Sequence, residues 1–371
     1  MVATPVILDI GEFSSKVGFG SENDPRYTFY TLVGQPKYVN VEMGFDNKTY
    51  YAGNEVSNSM GLYKIYHPIK EGRIDDWKLF EYLLDYAFYQ LKVDPTIVHV
   101  LYAYHPLITE EEKKELLRIF FNKYQVAGFY PVLDSLLTMY SGGFQTGIVV
   151  EMGAGANRIV PIYEGYILDH AVQIVRTGGT VIDHFMLQEV KNAGFSAETS
   201  VQRQIVRVLK EKACFCSLDY DEDMSNRRRY EKEFSMPDGS IVTLDEERFK
   251  VPELLFKPDL FNLEERPLHR AIIDCIEQCD LDIRPDLMNN IFLSGGNSLF
   301  PQLEYRLEHE IEIGLIEDGK KAIKPRIIAP KERIFSTWIG GSILSYIPEF
   351  QDNWLSRSQY YRDGVPEDLF H

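Results

Sequence analysis

Three glycine turns, each following an apolar run, are the residues of this sequence best suited to chemistry on a charged ligand. Gly11 follows Val6-Ile-Leu-Asp-Ile, Gly153 and Gly155 follow Gly147-Ile-Val-Val-Glu-Met, and Gly295 and Gly296 follow Asn290-Ile-Phe-Leu-Ser. Glycine lets backbone N–H groups approach phosphate oxygens with no Cβ in the way. Helix starts beside such turns add positive field. Two acids near strand ends, Asp9 and Glu151, have the chemistry to hold a hydrated Mg²⁺, an ion that takes carboxylates and retains water. Any single turn fits a structural role. The repeated order strand, acid, glycine, strand is what singles these out.

The elements that must position them follow from the pattern. Val6–Gly11 and Lys16-Val-Gly-Phe-Gly20 read as a hairpin of buried strands. Gly147–Gly155 with Arg158-Ile-Val-Pro-Ile-Tyr163 read as a second hairpin about 140 residues later, so the chain contains two related halves. Trp77–Phe88 is apolar round most of a helix, and Val98–Ala103 reads as a strand. Thr109 followed by Glu110, Glu111 and Glu112 is a helix start with a capping box. Tyr130–Tyr140 reads as a further amphipathic segment, Val201–Cys214 and Leu268–Cys279 as helices, and Pro301–Ile311 as another. Phe234–Phe249 reads as two short strands round the turn Pro237-Asp238-Gly239. Strands alternating with helices imply an α/β fold.

The 371 residues predict two or three domains or one large bilobed unit. With 44% hydrophobic and 26% charged residues, wholesale disorder is excluded. The formal net charge of −17 repels phosphate backbones and anionic lipid, which disfavours general nucleic-acid binding and docking on anionic membranes. No apolar run has the length of a membrane span, and the opening MVATPVILDI carries no signal-peptide pattern. Cys214, Cys216, Cys275 and Cys279 lack zinc-site flanks and read as reduced thiols. His99, His105, His170 and His184 show no metal-ligand spacing. Arg227–Arg229, preceded by the acidic run Asp219–Asp223, reads as a solvated face.

Five ordered stretches resemble actin and the actin-related proteins. They are Val160–Tyr166, Ile205–Lys212, Pro237–Gly239 with Glu247–Phe249 and Pro252-Glu253, Leu293–Pro301, and Lys331–Leu344. The resemblance covers nearly the whole chain. It implies an actin-like α/β fold, a duplicated ribonuclease-H-like architecture with two lobes and four subdomains around a nucleotide cleft. The implied subdomains are 1–30, 67–134 and 331–371; 31–66; 135–177 and 265–330; and 178–264. It also implies ATP or ADP with Mg²⁺ or Ca²⁺, and assembly with other actin-family subunits in cytoplasmic filaments of the cytoskeleton. By motif, Asp9, Gly11 and Lys16 match the first phosphate loop, and Glu151, Gly153 and Gly155 the second. Gly178, Arg207, Lys210, Glu211, Gly295, Gly296, Leu299 and Phe300 match the nucleoside pocket. Asp9 and Glu151 stand where the family's acids reach the metal through waters, and Asp134 is a third acid able to take a metal's water or act as a base.

The departures gather at the phosphates. The family's phosphate-loop serine is Glu12 here, and the glycine after it is Phe13. An acid beside a triphosphate repels it unless it turns away or recruits a cation. The family's two second-loop aspartates become Glu151 and Ala154, its water-positioning glutamine becomes Asp134, and the assisting histidine becomes Arg158. Asp134 and Arg158 are therefore the catalytic candidates, and hydrolysis is expected to be slow or lost. Residues 36–51 resemble the family's intersubunit loop, with Tyr38, Val39, Val41, Met43 and Phe45 either meeting a partner or packing on their own subdomain. Tyr140, Gly143, Ile339, Ile343, Leu344 and Ile347 match a regulator-binding groove between lobes, with Pro348, Glu349 and Asn353 on its rim. The alternatives are a non-polymerising subunit or filament cap in a larger complex, and a small-molecule kinase of the same superfamily.

Overall fold

The computed structural model describes residues 4–37, 48–106, 108–192, 194–195, 198–235, 239, 241–320, 324–366 and 369–370. Tyr38, Val39, Val41, Met43, Phe45 and the turn residues Pro237 and Asp238 lie outside the described residues. The chain divides into two compact units, Met1–Gln145 with Phe335–His371, and Thr146–Ile334.

The first unit is built on a six-stranded sheet. Its order is Leu355–Ser356, Gly128–Leu133, His99–Tyr104, Val6–Ile10, Ser14–Phe19, Tyr27–Tyr30. Val6–Ile10 pairs antiparallel with Ser14–Phe19 and parallel with His99–Tyr104, which in turn pairs parallel with Gly128–Leu133. Side chains alternate across this sheet, and both faces are covered. Val6 and Leu8 pack with Phe80, Leu83 and Phe120, whereas Ile7 packs with Leu101, Leu137 and Trp338. A strand buried on both faces reads as a continuous apolar run, as Val6-Ile-Leu does.

The second unit repeats the plan. Gly147–Met152 pairs antiparallel with Asn157–Tyr163 and parallel with Ile291–Ser294, which pairs parallel with Ile327–Ile328. Tyr166–Ile167 and Gln173–Val175 both pair with Asn157–Tyr163. The shared core of the two sheets is therefore a glycine hairpin whose first strand runs parallel to two later strands. The duplication read from the glycine turns is a duplication of strand order.

Helix ends follow local chemistry. Asp76 caps Trp77–Leu91 by accepting from the Leu79 N–H at 3.0 Å. Thr109 and Glu112 form the expected capping box on Glu110–Leu117. Helices Asp134–Ser141 and Ser336–Leu344 press together so closely that a Cβ on Gly340 would stand 1.8 Å from the Leu137 carbonyl oxygen. The Thr138 and Thr337 hydroxyls bond across the same contact at 3.0 Å.

Three segment readings are corrected. Tyr130–Tyr140 is not one amphipathic element: Gly128–Leu133 is a strand and the helix starts at Asp134. The second short strand after Gly239 ends at Leu244, and Phe249 lies in helix Glu247–Glu253. The helix expected at Pro301–Ile311 runs Leu303–Glu317. The four cysteines are free and buried, and burial pushes the Cys214 thiol to about 12. Arg227 pairs with Glu246 on an exposed face, as a solvated cluster should.

His269, on helix Leu268–Gln278, is buried, and its Nδ1 has no hydrogen-bond partner among the described residues. Burial lowers its pKa to about 4, from an ordinary value of about 6.5. Between those values the unfolded chain binds more protons than the folded one, so stability falls as pH drops through that window. We expect His269→Phe to flatten this acid-side loss by about 1–3 kcal/mol in urea unfolding at pH 7, 5.5 and 4.5. An unchanged pH slope would contradict the assignment.

Candidate functional site: two glycine hairpins

In the first unit, Asp9 sits directly across the hairpin ladder from Lys16, and its carboxylate lies 3.4 Å from the Lys16 ammonium. Both side chains are largely buried, with exposures of 14% and 12%, and backbone register places the two residues opposite each other. Gly11 opens the turn two residues after Asp9. Glu12 aims its carboxylate at the tip of the Ile69–Ile74 hairpin, where it accepts the Gly72 N–H at 3.2 Å. Phe13 sets its ring edge-on to Tyr30 at 5.1 Å, and its carbonyl accepts the Thr31 N–H. The two departures at the first turn thus have definite destinations within their own unit. Asp134 heads helix Asp134–Ser141 and accepts the Ser135 N–H at 2.8 Å. Burial raises the Tyr102 phenol, and the charges of Asp9 and Asp134 add to that shift. The structure therefore brings Asp9, Lys16 and Asp134 together around the end of the first hairpin.

In the second unit the arrangement recurs. Glu151 faces Arg158 across the ladder, and their charged groups are 2.8 Å apart. In both hairpins the cation follows its acid by seven positions, as the pairs Asp9–Lys16 and Glu151–Arg158 show. The turn after Glu151 docks on the start of helix Gly179–Asn192. The Gly179 N–H donates to the Gly153 carbonyl at 3.0 Å, and the Thr180 N–H to the Ala154 carbonyl at 2.8 Å. Those helix-terminal donors are engaged by backbone.

The remaining candidates of this unit form one polar network. Lys210 is buried and pairs with Asp183 at 2.7 Å, and Arg207 pairs with the same carboxylate. Lys210 also donates to Asn297 Oδ1 at 3.4 Å, and Asn297 Nδ2 donates to the Gly153 carbonyl at 2.7 Å. A single asparagine thus joins the second turn to helix Ser200–Ala213 and to the Gly295–Phe300 loop. Gly295 adopts a φ of 84°, and a Cβ there would meet the Met152 carbonyl oxygen at 2.5 Å, so this glycine is demanded by backbone packing. Above Gly296 the space is open. Gly178 is buried, Phe300 is buried beneath Lys210, and Leu299 and Glu211 are exposed. Arg333 lies buried under the loop and donates to the Ser298, Ala329 and Pro330 carbonyls. Burial lowers its pKa, yet a guanidinium stays charged.

Asp183, Asn297 and Arg333 are additions to the candidates. Only the sevenfold acid-to-cation spacing was a sequence signal for the geometry; the contacts of Asp183 and Arg333 are tertiary and follow no period.

The candidates of this unit comprise one glycine with open space above it, Gly296, the cations Arg207 and Lys210 on a shared carboxylate, and the buried Phe300 ring. The fit to a divalent cation is uneven. Asp9 faces an ammonium at 3.4 Å, whereas the Glu151 carboxylate is held by a guanidinium at 2.8 Å. Among the described residues no three His, Cys, Asp or Glu side chains cluster as direct metal ligands.

A glycine hairpin with a cross-strand acid–cation pair, present twice in one strand order, marks a duplicated α/β protein. The family model described as Actin matches residues 2–366 of 371, and the chain belongs to the actin family. The fold is accordingly actin-like. No described helix is long and apolar enough to cross a membrane.

Asn297→Ala deprives the Gly153 carbonyl and Lys210 of a shared partner. It is expected to destabilise the chain by about 1–3 kcal/mol in chemical denaturation. No measurable loss would show that the asparagine is not a strut.

Proposed function

We propose that this chain is an actin-family protein that binds ATP or ADP through its glycine turns, hydrolyses ATP slowly or not at all, and forms or joins filaments of the cytoplasmic cytoskeleton. The observation that carries the reading is the repetition of the glycine hairpin, with its acid–cation pair, at the same place in two sheets. The four subdomains of the family are assigned as in the sequence reading. Lys16 serves a phosphate as a mobile ammonium. Gly178, Arg207, Lys210, Glu211, Gly295, Gly296, Leu299 and Phe300 form the nucleoside site, with Asp183 orienting both cations. Asp9 and Asp134 take the waters of Mg²⁺ or Ca²⁺ where the metal is present.

Slow hydrolysis follows from the groups that replace the family's water-positioning pair. One Asp134 oxygen is engaged by the Ser135 N–H, and Arg158 is paired to Glu151. Neither is poised as a neutral donor–acceptor pair for an attacking water. The groove residues Tyr140, Gly143, Ile339, Ile343, Leu344 and Ile347 all belong to the first unit, on and beside helices Asp134–Ser141 and Ser336–Leu344. Ile343 and Ile347 expose 44% and 39% of their surface, enough apolar area to receive a regulator's helix.

A second reading is a fixed subunit or filament cap that does not polymerise. The diversion of Glu12 to Gly72 favours it, because the first turn then carries an anion where the family has a hydroxyl. Sedimentation and electron microscopy under polymerising salt with ATP, alone and with added actin, separate the two. The proposal expects filaments, or recovery with actin filaments, without stoichiometric phosphate release during assembly. A chain that stays monomeric in both settings contradicts the filament reading, and rapid stoichiometric phosphate release contradicts slow hydrolysis.

A further inference from the structure

We infer that Arg158 supplies, at the second glycine turn, the positive charge that a divalent cation otherwise brings to a bound nucleotide, so that adenine nucleotides bind this chain with little dependence on metal. The inference rests on the nucleotide-binding reading above and goes beyond it in what neutralises the phosphates.

The placement is fixed by the fold. Glu151 and Arg158 are directly opposed residues of one antiparallel ladder, and each is flanked by buried strand positions. Their 2.8 Å contact is therefore imposed by register. The Glu151 side chain is 9% exposed and that of Arg158 20%, so little water screens the pair. The turn between them reads Met152-Gly-Ala-Gly-Ala-Asn157 and contains no other charge. The acid of this hairpin end, which would otherwise call for a metal, thus already faces a fixed guanidinium.

A hydrated divalent cation held through Glu151 would stand beside a permanent positive charge and would have to share its carboxylate. Both effects weaken it. A guanidinium suits the alternative role. It carries five donors in a planar fork, enough to keep the carboxylate and still face a phosphate oxygen. The first donors of helix Gly179–Asn192, on Gly179 and Thr180, are engaged by the Gly153 and Ala154 carbonyls, so that helix start is not open to a ligand.

The first hairpin shows the contrast. Lys16 lies 3.4 Å from Asp9, on a flexible stem. An ammonium so placed can turn toward a phosphate and release its carboxylate to a metal's water. The two turns have the same plan and different cations, and only the second has the metal's charge built in as a fixed group.

Calorimetric titration of the full chain with ATP and with ADP, in excess Mg²⁺ and in EDTA, tests this directly. The expected result is affinities within about threefold of each other in the two buffers, a difference of less than one tenfold step in Kd. In Arg158→Gln, affinity in EDTA falls by about tenfold or more while Mg²⁺ recovers part of it; Arg158→Lys keeps most of the metal-free binding. Because Arg158→Gln leaves Glu151 buried without its cation, the double variant Glu151→Gln/Arg158→Gln is titrated in parallel, with the same rise in metal dependence expected. Binding by the unaltered chain in Mg²⁺ but not in EDTA overturns this inference and leaves the nucleotide reading standing. Equal metal dependence in the unaltered chain and the folded double variant also overturns it. Absence of heat in both buffers overturns the nucleotide reading and this inference with it.

Discussion

A carboxylate near the end of a buried strand is tolerated only where a cation faces it, and that requirement organises both halves of this chain. Asp9 meets Lys16 and Glu151 meets Arg158 because an antiparallel hairpin closed by a short turn fixes which residues oppose each other. Removing one partner of such a pair strands a charge away from water, which costs far more than the pair contributes. The hairpin, its glycine turn and its two charges are therefore one inseparable unit. That unit presents backbone, an acid and a cation at the same edge of each sheet.

Around it the two halves are supported differently. In the first unit the hairpin lies in a sheet buried on both faces, and helices Asp134–Ser141 and Ser336–Leu344 press on one of them. In the second, the turn is tied by backbone to helix Gly179–Asn192 and by Asn297 to Lys210. Asp183 holds Lys210 and Arg207 together, and Arg333 pins the Gly295–Phe300 loop from beneath. Polar networks of this kind tie together the elements they connect. The second turn is accordingly joined to the Gly295–Phe300 loop through Asn297, whereas Glu12 links the first turn to the tip of a two-stranded hairpin at Gly72.

Much of this was legible in the residues. The hairpins follow from apolar runs ended by glycine, the duplication from their recurrence, and the helix starting after Thr109 from its capping box. Tyr130–Tyr140 misled because an apolar strand and an amphipathic helix share short-range composition. Pro131 was the discriminating residue. It sits past the short partner strand Leu355–Ser356, which pairs only with Gly128 and Phe129, so its missing N–H breaks no ladder bond there. The extent of helix Leu303–Glu317 was hidden because its first turn is set by Gln302 in a left-handed conformation, not by a capping side chain. The diversion of Glu12 to Gly72 and the sharing of Asp183 by two cations depend on residues far apart in sequence, and no spacing announces such contacts. The seven-residue interval from acid to cation, identical in the two hairpins, stands in the sequence, but the ion pairs show only once the ladder register is known.

The central claim is that this actin-family chain holds an adenine nucleotide. Denaturing the purified chain and chromatographing the small molecules released tests it most directly, with a preparation first incubated in millimolar ATP and then desalted. The account predicts close to one adenine nucleotide per chain. A chain that releases none, either as purified or after loading, would contradict it.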